Sequence, residues 1–407
     1  MAAQAQVGII GAGPAGLLLA QLLGQHGIRS CVLERSSREH VEARIRAGVL
    51  EQATVDTLRA AGVGARLGRE GMVHHGIELR FSGAAHRIDF HELVPGRSIT
   101  VYGQREVVRD LIAARLSDPD AGPEHLRFEV SDVQLDGLGQ DRPVLSFTHA
   151  GRRQELRCDW VVGCDGYHGV SRHWFSEGSS RSYEHVFPFA WLGVLAAVAP
   201  SARELIYAHH ERGFALHSIR SPELSRFYLQ VAAEEDLAGW SDERIWQELR
   251  TRLETVPGWQ LQSGPILEKG LAAMRSFVFE PMRQGRLFLA GDAAHIVPAT
   301  GAKGLNLAVA DVRRLSAALA AWYERGSTLG LDAYSAACLH QVWRVQHFSS
   351  WMTRLLHVLP GDDAFQRRVQ LAQLQSVVQS RAAASVLAEN YVGLADDPLL
   401  GSAPPAC

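Results

Sequence analysis

The segment Val7 to Arg35, VGIIGAGPAGLLLAQLLGQHGIRSCVLER, constrains the rest of the chain more than any other. It begins with a short apolar run, Val7-Gly8-Ile9-Ile10, of the kind a fully buried parallel strand shows. Gly11, Gly13 and Gly16 then fill a G-x-G-x-x-G pattern where strand should become helix. One such glycine permits the tight turn, one lets backbone approach a pyrophosphate, and one lets helix pack closely on strand. Pro14 suits the first helical turn, where a missing N–H costs nothing. Leu17, Leu18, Leu19, Leu22 and Leu23 give the helix an apolar face, and Gly27 is its expected stop. A second strand, Ser30 to Leu33, leads to Glu34, about twenty residues past the glycines, where a carboxylate can bind ribose hydroxyls. The helix N-terminus would hold the diphosphate. The segment is apolar enough to suggest a membrane helix or signal peptide. Its glycines and proline cluster at one end, however, and it lacks a basic flank and a small-residue cleavage site. Strand, turn, helix, strand and acid in that order point to dinucleotide binding, without saying which dinucleotide.

The 407 residues allow two or three cores. Forty-one basic against forty-four acidic residues leave a net charge of −3 and no basic block, which argues against nucleic acid. Cys31, Cys158, Cys164, Cys338 and Cys407 form no CxxC pair, and Cys31 and Cys158 read as buried, reduced thiols. The eighteen histidines fall in no ligand pattern, so no metal site is expected. A cytoplasmic protein without membrane contact is the default expectation.

Along the chain, Arg44-Ile-Arg46-Ala-Gly-Val-Leu leads into an expected helix through about Ala61. Residues 72–103 alternate apolar and polar, as antiparallel strands do. Gln104 to Arg115 reads as a helix, and Arg127 to Thr148 as further strands. Alternation returns from Phe187 to Val231, which predicts a second, largely antiparallel sheet. Ser241-Asp-Glu-Arg opens a helix, with serine as cap and acids in the first turn. Beyond Ala308 the chain is mainly helical to about Ala388, and the tail from Gly393 is expected to fray. The fold class predicted is α/β (mixed α+β), a Rossmann-like βαβ framework interleaved with an antiparallel-sheet substrate domain and followed by a helical C-terminal region.

Two further motifs sharpen this. Asp159-Trp-Val-Val-Gly-Cys-Asp165-Gly is a buried strand ending in Asp-Gly, with Ser171-Arg172 beyond it. Gly285-Arg-Leu-Phe-Leu-Ala-Gly291-Asp292 is another apolar strand ending in Gly-Asp. A carboxylate there can accept from a ribityl hydroxyl. The three motifs in this order resemble the FAD-dependent aromatic hydroxylases, the class A flavoprotein monooxygenases. Longer stretches resemble the branch that hydroxylates 4-hydroxybenzoate at C3: Arg44 to Gln52, Val101-Tyr-Gly-Gln104, Glu204 to Ala208, Arg212 to Leu216, Leu289 to Pro298, Thr300 to Asn306 and Glu389 to Leu394.

That resemblance implies FAD, with Gly11, Gly13, Gly16, Glu34, Arg35, Arg46, Gln104, Asp165, Arg226, Asp292, Lys303, Gly304, Leu305 and Asn306 as its contacts. It implies NADPH, with NADH as the alternative, docking at Arg35, Arg44, His168 and Arg275. His40 and Glu42 depart from the usual NADPH-type pattern, and Glu42 would repel a 2′-phosphate. The implied reaction is ortho-hydroxylation of a phenol to 3,4-dihydroxybenzoate by a flavin C4a-hydroperoxide formed from O₂. Ser218, Arg220 and Tyr228 are implied as the carboxylate anchor, whose fork and hydroxyls suit it. Tyr207 and Tyr391 are implied at the phenolic oxygen, with His74 the outer end of a proton relay. Pro298, Ala299, Thr300 and Gly301 form the loop expected at the flavin ring. Ala299 stands where the family usually has a second proline, and His217 beside Ser218 where it often has a smaller residue; both keep a related substrate such as 4-aminobenzoate open. The implied segments are FAD-binding at 1–75, 104–180 and 276–320, substrate-binding at 76–103 and 181–275, helical at 321–394 and a flexible tail at 395–407. A homodimer and a small aromatic acid are the implied partners. A non-catalytic FAD-fold escort protein is the rival from another class.

Overall fold

The glycine-rich strand lies in the middle of a six-stranded sheet in the computed structural model, which describes residues 3–44, 48–119, 122 and 125–393. Arg46 and the 395–407 tail lie outside the described residues. Val7–Ile10 pairs in parallel with Ser30–Leu33 on one side and with Trp160–Gly163 on the other. Trp160–Gly163 pairs in parallel with Leu287–Leu289. Leu126–Arg127 and Arg283–Gln284 complete the edges. The central strands are buried throughout, as their unbroken apolar composition requires. Because all four run the same way, Glu34, Gly11, Asp165 and Gly291-Asp292 emerge side by side at one edge. In open α/β sheets that carboxyl edge is where ligands sit.

Two glycines make the first turn possible. Gly11 has φ +104°, and a Cβ there would collide with Cys164 O. A Cβ at Gly16 would collide with the Gly11 carbonyl, so the helix Pro14–Gln25 can approach the turn only through glycine. At Gly13 nothing lies within 4 Å of a built Cβ.

The second sheet has eight strands, in the order His295–Ile296, Ile266–Glu280, Arg181–Ala196, Leu224–Ala232, Ala215–Ser221, Leu205–Ala208, Gly76–Phe81 and Ala84–Asp89. One face carries Trp191, Tyr207, Phe214 and Leu216 into a core shared with the helices Leu329–Leu356, Ala364–Gln379 and Arg381–Val392. The other face, with Leu192, Phe227 and Leu229, packs on the helix Asp242–Leu253. Ser241 caps that helix by accepting the Arg244 N–H. Among the described residues no helix is long and apolar enough to cross a membrane. Cys31, Cys158, Cys164 and Cys338 are buried.

The helix expected through about Ala61 runs from Gln52 to Ala60, and ahead of it Val49–Glu51 is a strand paired with Ile99–Val101. Its partners are remote, since Asn306 accepts from Glu51 N and donates to Val49 O. The strands at 72–103 do not form one sheet. Met72–His74 and Ile99–Val101 join Val49–Glu51 in a separate three-stranded sheet, while Gly76–Phe81 and Ala84–Asp89 belong to the eight-stranded one. Between them Phe90–Leu93 is helical, capped by Asp89 accepting from Glu92 N. The last helix also runs past Ala388, to Val392.

The glycine geometry separates folding from binding. Gly16→Ala forces backbone apart and should lower apoprotein stability by about 1–3 kcal/mol, whereas Gly13→Ala should leave it within about 0.5 kcal/mol. Thermal denaturation of the two apoproteins checks this; equal melting temperatures would refute the close approach.

Candidate functional site

At the first strand end the Glu34 carboxylate is buried and accepts the Ala12 N–H at 2.8 Å and the Ser36 N–H at 2.8 Å. Helix Pro14–Gln25 begins at Gly13 with no side-chain cap, so its N-terminus is open beside the uncrowded Gly13. Gln104 opens a second uncapped helix, Gln104–Ser117. Asp165 turns its Oδ2 to Ser171, accepting from both N and Oγ at 2.9 Å, while its Oδ1 is buried with no protein partner. Asp292 lies half-buried in the Gly291–Ala293 turn. The open cradle at Gly13, the uncapped helix starts and the orphaned Asp165 oxygen fit a diphosphate and its sugar hydroxyls.

The Gly291 turn rests on Asp311, a residue that sequence reasoning passed over. Asp311 Oδ2 accepts the Gly291 N–H at 3.0 Å and lies 2.6 Å from His295 Nε2. Burial opposes charge on His295, but Asp311 outweighs it and raises the imidazole pKa. The available signal was an acid on the apolar face of helix Gly304–Arg325.

Four residues expected at the flavin divide in two. Gly304 and Leu305 start helix Gly304–Arg325, which has no side-chain cap. Lys303 and Asn306 instead commit their side chains to the protein. Lys303 Nζ donates to Glu51 Oε1 at 2.6 Å and to Tyr391 O at 2.9 Å. Burial lowers the Lys303 pKa and Glu51 opposes the change. Asn306 bonds Glu51 N, Thr54 Oγ1, Val49 O and Ala302 O. Their side chains brace the loop, leaving backbone groups for a ligand.

On the face of the eight-stranded sheet that carries Trp191 and Phe214, Tyr207 and Tyr391 meet with their hydroxyls 2.5 Å apart, each residue 1% exposed. Burial pushes both phenols up, so both are neutral at pH 7. Tyr391 also stacks on Phe90 at 5.4 Å. Ser218 and Arg220 alternate on strand Ala215–Ser221 and share a face with Tyr228, as the pairing of Leu216 with Tyr228 requires. Arg220 Nη1 donates to Ser218 Oγ and Ile219 O, both at 2.8 Å, and its Nε is buried without a partner. Burial lowers the Arg220 pKa, while the neighbouring Tyr228 works the other way. Among the described residues no acidic side chain forms an ion pair with it. A half-buried cation whose Nε is buried and unsatisfied calls for an anion. Arg226 lies 3.5 Å from Glu268 and 5.5 Å from the Tyr228 ring centre.

Pro298 is buried and Ala299 exposed; the Ala299 N–H that a proline would lack reaches Met274 Sδ at 3.3 Å. Thr300 is fully buried and shares a hydrogen bond with Thr353 at 2.9 Å. The loop is thus tied down despite the alanine.

His74 is not bonded to either tyrosine. Both of its ring nitrogens are buried without a partner, and burial, opposed by Glu204, lowers its pKa to about 4. It is neutral at pH 7, contrary to the near-neutral titration expected of it. His75 is exposed, as the pleat predicts. His217 is removed from the substrate question by the same rule. It sits on the opposite face from Ser218, against Phe227, with Nε2 accepting from Ser201 N at 3.1 Å.

At the expected nicotinamide side, His168 and Arg275 converge on Tyr167, each 4.9 Å from its ring centre. Tyr167 had not been singled out. Arg35 and Arg44 are exposed. Glu42 pairs with Arg38 at 2.6 Å, which offsets the repulsion expected from its charge.

The comparisons with known proteins agree with this geometry. The family model described as FAD binding domain matches residues 4–349. The chain is 48% identical to the p-hydroxybenzoate hydroxylase of Acinetobacter baylyi, over 96% of this chain and 95% of that one. It is 27% identical to the rifampicin monooxygenase of Streptomyces venezuelae, over 91% of this chain and 75% of that one. In fold it resembles the crystal structure of p-nitrophenol 4-monooxygenase from Pseudomonas putida, with TM-score 0.82, 19% identity, and coverage of 97% of this chain and 100% of that one. A non-catalytic escort is set aside by these relatives.

Burial lowers His217 to about 3, so the folded state keeps it neutral where the unfolded chain is protonated. Stability from this group is complete above the unfolded value near 6.5 and is lost as pH falls toward the folded one. Each such histidine adds about 1.4 kcal/mol per pH unit to the loss. His217→Gln, which keeps an acceptor for Ser201, should therefore flatten the fall in stability between pH 6 and pH 4 by about that amount. Denaturant titrations at several pH values test it, and an unchanged slope would contradict a neutral His217.

Proposed function

The chain belongs to the FAD-dependent aromatic hydroxylases, and from that membership we propose that it converts 4-hydroxybenzoate to 3,4-dihydroxybenzoate with NADPH and O₂. One observation carries the substrate assignment. A half-buried guanidinium with no acidic partner among the described residues and a pair of hydrogen-bonded phenols share one sheet face, which suits an aromatic acid with a para hydroxyl. FAD, when bound, takes hydride from the nicotinamide and delivers one oxygen atom of O₂ to the ring. The rest is done by this chain. Arg220 binds the carboxylate, with Ser218 and Tyr228 adding donors. Tyr207 accepts the phenolic hydrogen bond and can take that proton while passing its own to Tyr391, and His74 is the outer relay group. A substrate closer to phenolate is a better nucleophile at the ortho carbon. The carbonyls of Pro298 and Ala299, with Thr300 behind them, line the flavin side of the ring.

FAD is assigned to Gly11, Gly13, Gly16, Glu34, Arg35, Gln104, Asp165, Asp292 and the Gly304-Leu305 helix start, with Arg226 following the flavin ring and Arg46 retained from the resemblance. Lys303 and Asn306 support the loop rather than bind. Arg35, Arg44, His168 and Arg275 receive the nicotinamide cofactor, NADPH with NADH as the alternative; the Arg38–Glu42 pair offsets the repulsion that Glu42 would offer a 2′-phosphate. The interleaved segment boundaries, a homodimer and a cytoplasmic setting belong to the same proposal.

Purified yellow protein should oxidise NADPH faster when 4-hydroxybenzoate is added, with 3,4-dihydroxybenzoate formed in step. NADPH consumption yielding only peroxide would overturn the substrate assignment. Arg220→Met leaves the carboxylate without its partner, at a cost of about 2–5 kcal/mol. Its KM should therefore rise at least about thirtyfold, while Tyr207→Phe should lower kcat with little change in KM. Steady-state kinetics with product analysis separates the two.

A further inference from the structure

His357 follows the helix Leu329–Leu356 as its C-cap and is fully buried against the substrate face of the eight-stranded sheet. Its ring lies 4.5 Å from Phe189, 4.3 Å from Phe214 and 5.7 Å from Trp191, centre to centre. Both nitrogens are used. Nδ1 is 2.8 Å from Thr353 O, and Nε2 is 2.7 Å from Trp191 Nε1. A carbonyl only accepts and an indole N–H only donates, so the imidazole is neutral with its proton on Nδ1. Trp191 in turn packs on Tyr228, with ring centres 4.8 Å apart. The residue opposite Tyr228 on the neighbouring strand is Gly193, which has no side chain to limit that ring. Trp191, two residues away on the same face, takes that role.

We propose that His357 is a positioning residue for the hydroxylation: its Nε2 fixes the Trp191 indole, and Trp191 fixes Tyr228 where the substrate carboxylate is received. This rests on the reading of Ser218, Arg220 and Tyr228 as the carboxylate end. His357 acts through Trp191 and has no direct part in the chemistry. Trp191 and His357 are both buried, so an indole N–H deprived of its acceptor is left unsatisfied unless it moves to another partner. Movement of the indole frees the phenol of Tyr228.

The test uses the FAD-loaded enzyme and the absorbance change of its flavin on binding 4-hydroxybenzoate. His357→Phe keeps an aromatic ring and removes the acceptor; His357→Gln carries an oxygen close to the Nε2 position. His357→Phe should raise Kd and KM about tenfold, the loss of one buried hydrogen bond, with kcat changed much less. His357→Gln should restore both values to within about twofold of wild type. In a Trp191→Phe background, which has no indole donor, His357→Phe should have no further effect on Kd. Three results would each overturn the inference: wild-type Kd in His357→Phe, equal impairment in His357→Gln, or an undiminished effect in the Trp191→Phe background. Thermal melting accompanies each variant, and His357→Leu replaces His357→Phe as the acceptor-free variant if the latter does not fold. Failure of wild-type enzyme to form 3,4-dihydroxybenzoate counts against the substrate reading alone, and the same variants are then scored on the benzoate that wild type does bind.

Discussion

Parallel pairing of Val7–Ile10 with both Ser30–Leu33 and Trp160–Gly163, and of the latter with Leu287–Leu289, is the constraint on which the rest depends. It sets four groups from distant parts of the chain along one sheet edge: Glu34, Gly11, Asp165 and Gly291-Asp292. Each belongs to a local motif that says little alone. Aligned at adjacent strand ends, beside uncapped helices, they make one extended polar cradle. The close contact of Gly16 with Gly11 sets the height of the first helix above that edge, which keeps the positive end of its dipole at the cradle.

The cradle and the substrate face are joined by a small set of buried polar contacts. Lys303 ties the loop after Pro298 to Glu51 and to the carbonyl of Tyr391. Asn306 ties the same loop to the Val49–Glu51 strand. Tyr391 is therefore held at its carbonyl by Lys303 and at its hydroxyl by Tyr207. Breaking a buried pair of this type costs more than the pair contributes, because a charge is left without a partner. The arrangement makes the distance between loop and phenol pair a property of the fold rather than of a mobile side chain.

Much of this was legible in the sequence, for identifiable reasons. Buried parallel strands are continuous apolar runs, and the G-x-G-x-x-G turn admits few alternatives, so the six-stranded sheet could be anticipated. The substrate sheet was legible from alternation, and alternation also placed Ser218 with Arg220. What escaped was whatever depends on remote partners. Val49–Glu51 is a strand because Ile99–Val101 and Asn306 complete its hydrogen bonds. Tyr167 and Thr353 lie in turn and helix sequences that carry no mark of their role, and Asp311 shows only as an acid on an apolar helix face. His217 was misjudged by adjacency to Ser218, although the pleat sends neighbouring side chains to opposite faces. His74 was expected to titrate near neutral pH, and its burial overrides that.

The central claim is that one aromatic acid spans from Arg220 to the Tyr207–Tyr391 pair. A crystal structure of the FAD-loaded enzyme with 4-hydroxybenzoate tests it most directly. The account predicts the carboxylate against Arg220, Ser218 and Tyr228, the phenolic oxygen within hydrogen-bond distance of Tyr207, and the ring beside the Pro298–Thr300 loop. A ligand bound in the reverse sense, or one that leaves Arg220 without an anion, would contradict it.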